Sequence, residues 1–577
     1  MMKKNEHSPG TKELEKALSA VKQHFIYAGS FSAAVNLLVL VPTLYMLQVY
    51  DRVLSSGSFS TLGVLTFLMV FLLLAMGGFE WVRSYILVAA SNKLELVLRN
   101  RVFNATFRTT LFSGNRTGAQ AINDLISLRQ FLTGNGIFAF FDAPWFPIYV
   151  LIMFGFHFWF GVSAIITGII MVALAWYNDA ATSSKLKEAN AEAALASARL
   201  NSTLRNAEII EAMGMTGNVR GYLQKQSDNV LLLQTEASKK AGLLTSLSKT
   251  FRMIVQSLML GLGALLALDQ QISPGAVIAG SLLLGRALAP LDVLVGSWKG
   301  FTVARAQYER LVKLLDQIPP DPERMSLPPP QGNLQVEAIV VAPPGSRTPV
   351  LRNVSFDLRA GEALGVIGPS ASGKSTLARA VLGVWPSLAG KVRLDGADIA
   401  NWNREELGPY IGYLPQDIEL FDGSISENIR RFGPPDAEKV VAAAQMAGVH
   451  ELILRLPEGY DTIISGSGGV LSGGQRQRIG LARAIYGNPK LVVLDEPNSN
   501  LDDQGERELV AAMLRIKAAG CTVLVISHRT MILGSVDKLL VLKDGNTIAF
   551  GPRDQVLAAL KQAQTPAPGP AVAASNA

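Results

Sequence analysis

Six apolar runs, at residues 25–49, 62–79, 137–156, 158–177, 253–268 and 275–295, fill most of the first half of this 577-residue chain. Each is close to the ~20 residues with which an α-helix crosses the hydrocarbon core of a bilayer. Six membrane-spanning helices are therefore expected, the third and fourth hard to separate. A mean hydropathy of +0.27 with 49% hydrophobic residues agrees with an integral membrane protein. Residues 1–24 are polar and charged and contain no short apolar core followed by a small-residue cleavage site, so the first run is expected to be a retained span. Connectors 55–60 and 269–274 lack Lys and Arg. The long connectors instead carry Arg83, Lys93, Arg99, Arg101, Arg108, Arg116 and Arg129, then Lys185, Lys187, Arg199, Arg205 and Arg220. The positive-inside bias places these long connectors and both termini in the cytoplasm.

The formal net charge of +7 is modest for this length, and the basic residues form no tract with interleaved aromatics, so no nucleic-acid partner is expected. The single cysteine, Cys521, sits beside an apolar strand-like run and excludes a disulfide framework, which suits a reducing compartment. Both long connectors are rich in helix formers and are interrupted at the glycines of 114–118 and 214–217. Spans that continue into the cytosol as helices and turn back there would present two elbows able to dock on a soluble domain, since unstructured connectors this long are rare. Charges beside helix breakers mark two places in the spans. Asp142 lies among Pro144 and Pro147, and Arg286 precedes Pro290 and Asp292. Asp142 either marks the cytoplasmic end of its span or lines a pathway; Arg286 is expected to face a pathway or a paired charge.

From Leu334 onward the chain has the strand, helix and glycine-turn texture of a soluble α/β domain. Within it, an apolar strand-like run (363–367) leads into Gly368-Pro369-Ser370-Ala371-Ser372-Gly373-Lys374-Ser375-Thr376 and then a helix-forming segment. A glycine-rich turn between strand and helix lets backbone N–H groups converge on phosphate oxygens at the positive helix end. Lys374 then reaches the β/γ-phosphates and Ser375 offers its hydroxyl to Mg²⁺, the arrangement called a Walker A loop, which implies ATP with Mg²⁺. A second apolar strand ends in Asp495 and Glu496. Asp495 is suited to hold Mg²⁺ through water, and Glu496 to polarise the water that attacks the γ-phosphate. Gln416, after a strand-like stretch, fits a lid that senses Mg²⁺ and the γ-phosphate; His528, after another, fits a γ-phosphate contact. Leu471-Ser472-Gly473-Gly474-Gln475 opens a further helix, and with one phosphate loop already complete its natural use is to complete the site of a second copy. Residues 499–502 read as the loop that crosses to that copy.

Together these motifs resemble the nucleotide-binding domain of an ABC transporter, whose signature is the Leu-Ser-Gly-Gly-Gln stretch between the two strand-end motifs. Six spans before one such domain resemble a half-transporter of the exporter type. The resemblance covers nearly the whole chain and implies a six-span α-helical membrane domain followed by an α/β P-loop ATPase domain. The boundaries expected are a cytoplasmic segment at 1–24, the membrane domain at 25–316, a proline-rich linker at 317–333, the nucleotide-binding domain at 334–562 and a disordered Ala/Pro-rich tail at 563–577. Gln48-Val49-Tyr50-Asp51-Arg52-Val53-Leu54, Phe141-Asp142-Ala143-Pro144-Trp145, Glu211-Ala212-Met213-Gly214-Met215 and Glu496-Pro497-Asn498-Ser499-Asn500-Leu501-Asp502 are similar to the ATPase/permeases of type I secretion systems that export proteases and lipases. That resemblance implies a homodimer in the bacterial inner membrane, a periplasmic membrane-fusion adaptor, an outer-membrane channel, and an unfolded protein cargo with a C-terminal signal. The first span begins near Phe25, leaving no room for the N-terminal peptidase-like domain of many relatives. Export of lipid or a small amphiphile is the alternative; a non-transporting ATP switch fits less well with Glu496 and His528 both present. The chain departs from the family at residues 340–345, which lack the usual adenine-stacking aromatic, and at residues 465–468, which lack the usual acidic residue. How adenine is stacked stays open.

Overall fold

The computed structural model describes residues 8–113, 118–204, 206–320, 324, 326–346, 348–464 and 471–564. They form two compact units that divide near Pro320.

The first unit is helical: α1 (Pro9–Leu38), α2 (Val41–Gln48), α3 (Phe59–Ser113), α4 (Gly118–Thr133), α5 (Asn135–Asp142), α6 (Phe146–Phe156), α7 (Phe158–Leu204), α8 (Ala207–Ala212), α9 (Thr216–Leu268) and α10 (Pro274–Gln317). Six stretches are long and apolar enough to cross a membrane: Pro9–Ser56, Phe59–Phe112, Gly136–Phe156, Phe158–Leu204, Thr216–Leu268 and Pro274–Trp298. Each contains one of the six apolar runs. Helix α1 starts well before its apolar run, with Pro9 in the first turn and the Ser8 hydroxyl accepting from the Thr11 N–H. Its polar-looking beginning hides an apolar stripe. Leu14, Ala17 and Val21 are buried against Leu94 and Leu98 of α3, Leu125 of α4 and Leu311 of α10.

Helix α3 runs unbroken for 55 residues, so the second span continues as helix far beyond its apolar part. Residues 114–117 of the first expected elbow lie outside the described residues. At the second elbow α8 is followed, two residues past its end, by Gly214, whose φ of +63° lets the Met215 N–H donate back to the Ile210 carbonyl at 2.8 Å. Glycine closes a helix this way without Cβ strain. The breaker run after Asp142 produces a 3₁₀ turn, Ala143–Trp145, between α5 and α6, and Pro147 falls in the first turn of α6, where a missing N–H costs no helix bond.

Asp142 faces protein. It accepts from Arg83 Nη1 at 3.0 Å and from Asn36 Nδ2 at 2.8 Å; the Tyr149 hydroxyl donates to Asn36 Oδ1 at 2.9 Å, and Arg83 also donates to the buried Ser32. The Arg83 guanidinium lies 4.3 Å from the centre of the Phe138 ring. A charge paired and hydrogen-bonded on this scale is tolerated where an isolated one is not. Arg286 is different: it is exposed and has no ion pair among the described residues, while Asp292 pairs with Arg252 at 2.6 Å. At the far end of the spans, Asp51, in a π-helical turn (Val49–Val53), accepts from the Gly275 N–H at 2.8 Å and the Ser273 hydroxyl at 2.5 Å, capping the start of α10.

The second unit is α/β. Its strands longer than two residues are β1 (Leu334–Val341), β2 (Leu351–Leu358), β3 (Ala363–Ile367), β4 (Ala389–Leu394), β5 (Ile411–Leu414), β6 (Leu491–Asp495), β7 (Thr522–Ile526), β8 (Lys538–Lys543) and β9 (Asn546–Pro552); α11 (Lys374–Val381) follows β3, α12 (Gly473–Ile485) precedes β6 and α13 (Asp503–Ala518) follows it. An antiparallel sheet holds β2-β1-β4, and the main sheet has the order β9-β8-β3-β7-β6-β5, parallel from β8 to β5. Alternate residues of the central strands feed two cores. Val492, Leu494, Val523 and Val525 join Ile479 on one face; Leu491, Val493, Leu524 and Ile526 join Leu377 on the other. Strands buried on both faces read as continuous apolar runs, as these do.

Candidate nucleotide site

The main sheet decides where the chemistry collects. In the neighbouring parallel strands β3, β7, β6 and β5, Val366 pairs with Ile526, Ile526 with Asp495, and Leu494 with Leu414. Four carboxyl-terminal strand ends therefore lie side by side. Asp495 closes its strand, and just past the ends come Gly368–Thr376, His528, Glu496 and Gln416. Ligands of open α/β sheets bind along this edge.

The loop after β3 is shaped for close backbone approach. Gly373 takes φ +98°, and a Cβ there would stand 2.6 Å from Leu351 Cδ2. Helix α11 starts at Lys374 with no side-chain cap, so its first N–H groups stay open to an anion. The Lys374 ammonium is buried and donates to the Gly368 and Pro369 carbonyls at 2.9 and 3.0 Å. Ala371 (φ +63°) and Glu496 (φ +48°) hold left-handed backbone that costs a non-glycine residue of order 1 kcal/mol or more, a strain common at functional sites.

Asp495 is buried at the end of β6. Burial pushes its carboxyl above the usual carboxylate range; the Ser375 hydrogen bond opposes that, the Glu496 charge adds to it, and Arg379 and Lys374 pull it back. Gln416 Nε2 donates to Glu496 Oε2 at 2.9 Å, so the two side chains already meet. His528 is exposed, two residues beyond the strand position paired with Asp495.

Ser472 and its neighbours are placed elsewhere. Ser472 caps α12: its hydroxyl accepts from the Gln475 N–H at 3.3 Å, and Gln475 Oε1 accepts from the Ser472 N–H at 2.8 Å. With Gly473 and Gly474 they line an open groove of about 460 Å³, whose other walls include Arg478, Asn500 and Asp502 and none of residues 368–376.

A family model described as the ABC transporter transmembrane region matches residues 25–290, and one described as ABC transporter matches 351–499. Over 543 residues the chain is 44% identical to the type I secretion system ATP-binding protein PrsD of Rhizobium meliloti (strain 1021), across 94% of this chain and 93% of that one. The chain belongs to the type I secretion ABC transporters. It is 29% identical to the leukotoxin translocation ATP-binding protein LktB of a Pasteurella haemolytica-like species, across 91% of this chain and 75% of that one. The cyclolysin secretion/processing ATP-binding protein CyaB of Bordetella pertussis is 28% identical, across 92% and 75%. A solved bacterial Atm1-family ABC exporter with ATP bound shares the fold, with a TM-score of 0.80 at 22% identity over 95% of this chain and 100% of that one.

The transporter is thus a multi-pass membrane protein that binds and hydrolyses nucleotide. Its loop fits a magnesium nucleotide: Asp495 Oδ1 and Ser372 Oγ are buried with no hydrogen-bond partner, open valences of the kind a hydrated cation and a phosphate satisfy. Among the described residues no cluster of three or more His, Cys, Asp or Glu is placed to hold a metal ion. Sequence reasoning missed the support behind Glu496. The buried Gln477 donates to the Glu496 carbonyl at 3.4 Å and accepts from the Asn500 N–H at 3.0 Å, and Ser527 donates to Asn498 at 3.0 Å. Gln477 carries no local motif of its own; a polar residue on the buried face of α12 was the available signal. The region 465–468 lies outside the described residues.

Proposed function

We propose that this transporter works as a homodimer in the bacterial inner membrane and exports unfolded proteins of the protease or lipase class by a C-terminal signal. A periplasmic membrane-fusion adaptor and an outer-membrane channel complete the route. The observation that carries the dimeric engine is the division of the site. One chain gathers a phosphate loop, Gln416, Asp495, Glu496 and His528 at one sheet edge, and leaves the Ser472 helix start open in a separate groove. Two copies set head to tail would each supply what the other lacks.

In such a site the open N–H groups of Gly373 to Ser375 cradle the β- and γ-phosphates, and Lys374 exchanges its loop carbonyls for phosphate oxygens. Ser375, Gln416 and Asp495 would hold Mg²⁺, which when bound neutralises charge building on the phosphates. Glu496 orients and polarises the attacking water, steadied by the Gln416 amide it already accepts from. His528 contacts the γ-phosphate, and Ser472 with the N–H groups of Gly473, Gly474 and Gln475 closes the site from the second copy. Closure and hydrolysis switch the membrane helices between inward-open and outward-open states. The cargo class is supported by the relatives, whose names speak of type I secretion and of toxin translocation.

The test fuses the last segment of a candidate protease to a slow-folding passenger and expresses it with the transporter, adaptor and channel. Passenger in the medium with its signal uncleaved is the expected result. No passenger outside, together with ATPase stimulation by lipid A, would overturn the cargo assignment.

A further inference from the structure

We infer that a groove between α7 and α10, at the cytoplasmic edge of the spans, binds an unfolded peptide segment carrying an apolar side chain near a carboxylate. The inference rests on the export function proposed above and names where cargo first engages the membrane unit. The groove encloses about 400 Å³, within the range of sites that bury a ligand, and runs from Ser183 to Asn190 on α7 and from Trp298 to Glu309 on α10. The apolar stretch of α10 ends at Trp298, and the apolar run of α7 ends shortly before Ser183, so the groove stands where the chain leaves the membrane.

Its floor is aromatic and held from behind. Phe301 packs 5.4 Å from Trp298, 5.3 Å from Phe140 and 6.2 Å from Phe131, measured between ring centres. Rings locked in this way give a peptide side chain apolar area at little cost in ordering. One polar demand is unmet: the Trp298 indole N–H is buried without an acceptor. Indole has only a donor to offer, so an acceptor such as a peptide carbonyl is the kind of group that would complete it. Ser183, Ser184 and Asn190 add further groups able to bond an extended backbone.

The rim adds a sign. Arg305 is answered by Glu309 at 3.2 Å. Lys187 is exposed and has no ion pair among the described residues, whereas its neighbour Lys185 pairs with Glu236. The groove therefore carries one uncompensated positive charge, and its complement is a carboxylate. Unmet acceptor, apolar floor and free cation together describe a short acidic-and-apolar stretch of extended chain. A second copy of the transporter would have to bring both a carboxylate and a carbonyl to the same spot.

The probes are three fluorescein-labelled glycine/serine peptides bound to the full-length transporter in detergent, followed by polarisation. One carries phenylalanine and aspartate; in the others lysine replaces the aspartate, or serine replaces the phenylalanine. Wild type should bind the first peptide about fivefold tighter than the lysine peptide, the upper range for one partly exposed charge pair. Lys187→Glu should reverse that order, a gain of binding that misfolding cannot mimic. Trp298→Phe keeps a ring and removes the donor, and should weaken the first peptide about threefold. An order unchanged in Lys187→Glu, or equal binding of the peptide lacking phenylalanine, overturns the inference. Because Cys521 is buried, Ser184→Cys can be labelled selectively with an environment-sensitive dye. A dye response that saturates with the first peptide supports the site; a dye shielded without peptide and released on dissociating the dimer assigns the groove to a second copy and ends the inference. Continued passenger export with a peptide order blind to Lys187 rejects the groove alone, while lost passenger export with lipid A stimulation rejects the export function.

Discussion

Two helices of the ATPase unit begin with N–H groups that an anion can use, and the fold finishes them in opposite ways. Helix α11 has no side-chain cap, and the strained loop before it keeps its donors open. Helix α12 closes itself: Ser472 and Gln475 cap each other within the chain. On the proposed reading the first start would take phosphate directly, and the second would exchange part of its cap for phosphate. A reciprocal cap stabilises a helix by about 1 kcal/mol, so the signature can be stable in a lone subunit and still responsive in a pair.

The sharpest break of that contrast is at the catalytic end of the first site. Glu496→Gln keeps the shape and the Gln416 neighbour but removes the charge, so phosphate release at saturating Mg-ATP should fall at least about 100-fold, with nucleotide still bound. Substantial turnover in that variant would show that another group orients the water. Lys374→Ala should cost about 10- to 100-fold in nucleotide affinity, since a charged hydrogen bond to phosphate is lost; equilibrium binding of a fluorescent ATP analogue reads it directly.

Mixing Lys374→Ala with Ser472→Ala subunits tests whether the two helix starts belong to one site. The mixed dimer has one intact site and one doubly damaged one, so independent sites give about a quarter of wild-type rate and coupled sites none. Full activity in a demonstrably monomeric preparation would rule out the shared site. The smallest effect separates capping from phosphate contact. Ser472→Asp preserves a good cap and places a negative charge against phosphate, so amide exchange at residues 474–476 should stay near wild type while turnover drops. Ser472→Ala should speed that exchange about fivefold, the equivalent of a ~1 kcal/mol cap.

Much of this was legible in the residues because the signals are local. The strand at 363–367, the glycine turn and the helix after it are contiguous, and a parallel strand buried on both faces shows itself as an unbroken apolar run. The six spans announced themselves by length alone. What stayed hidden depends on residues far apart. Nothing near Asp142 points to Arg83, 59 residues away, or to Asn36, and only packing decides that the Asp292 carboxylate goes to Arg252 and leaves Arg286 without an ion pair. The helical start of α1 was masked by its charges, because a stripe of Leu14, Ala17 and Val21 is too sparse to raise local hydropathy. The left-handed turn at Glu496 has no residue-type signature, since glutamate seldom adopts it; the sheet edge imposes it.

Helix α9 runs for 53 residues without a break, which at 1.5 Å per residue is a rod of about 80 Å. The hydrocarbon core takes up about 30 Å of it, so roughly 50 Å stands clear. A rod that long works as a lever arm. A tilt of 5° about its membrane end sweeps the far end through about 4 Å, close to one residue's length of extended chain. Movements too small to disturb packing among the spans can thus be read out as a full step at the elbow, and a step at the elbow can be geared down into a fine, forceful adjustment of the spans.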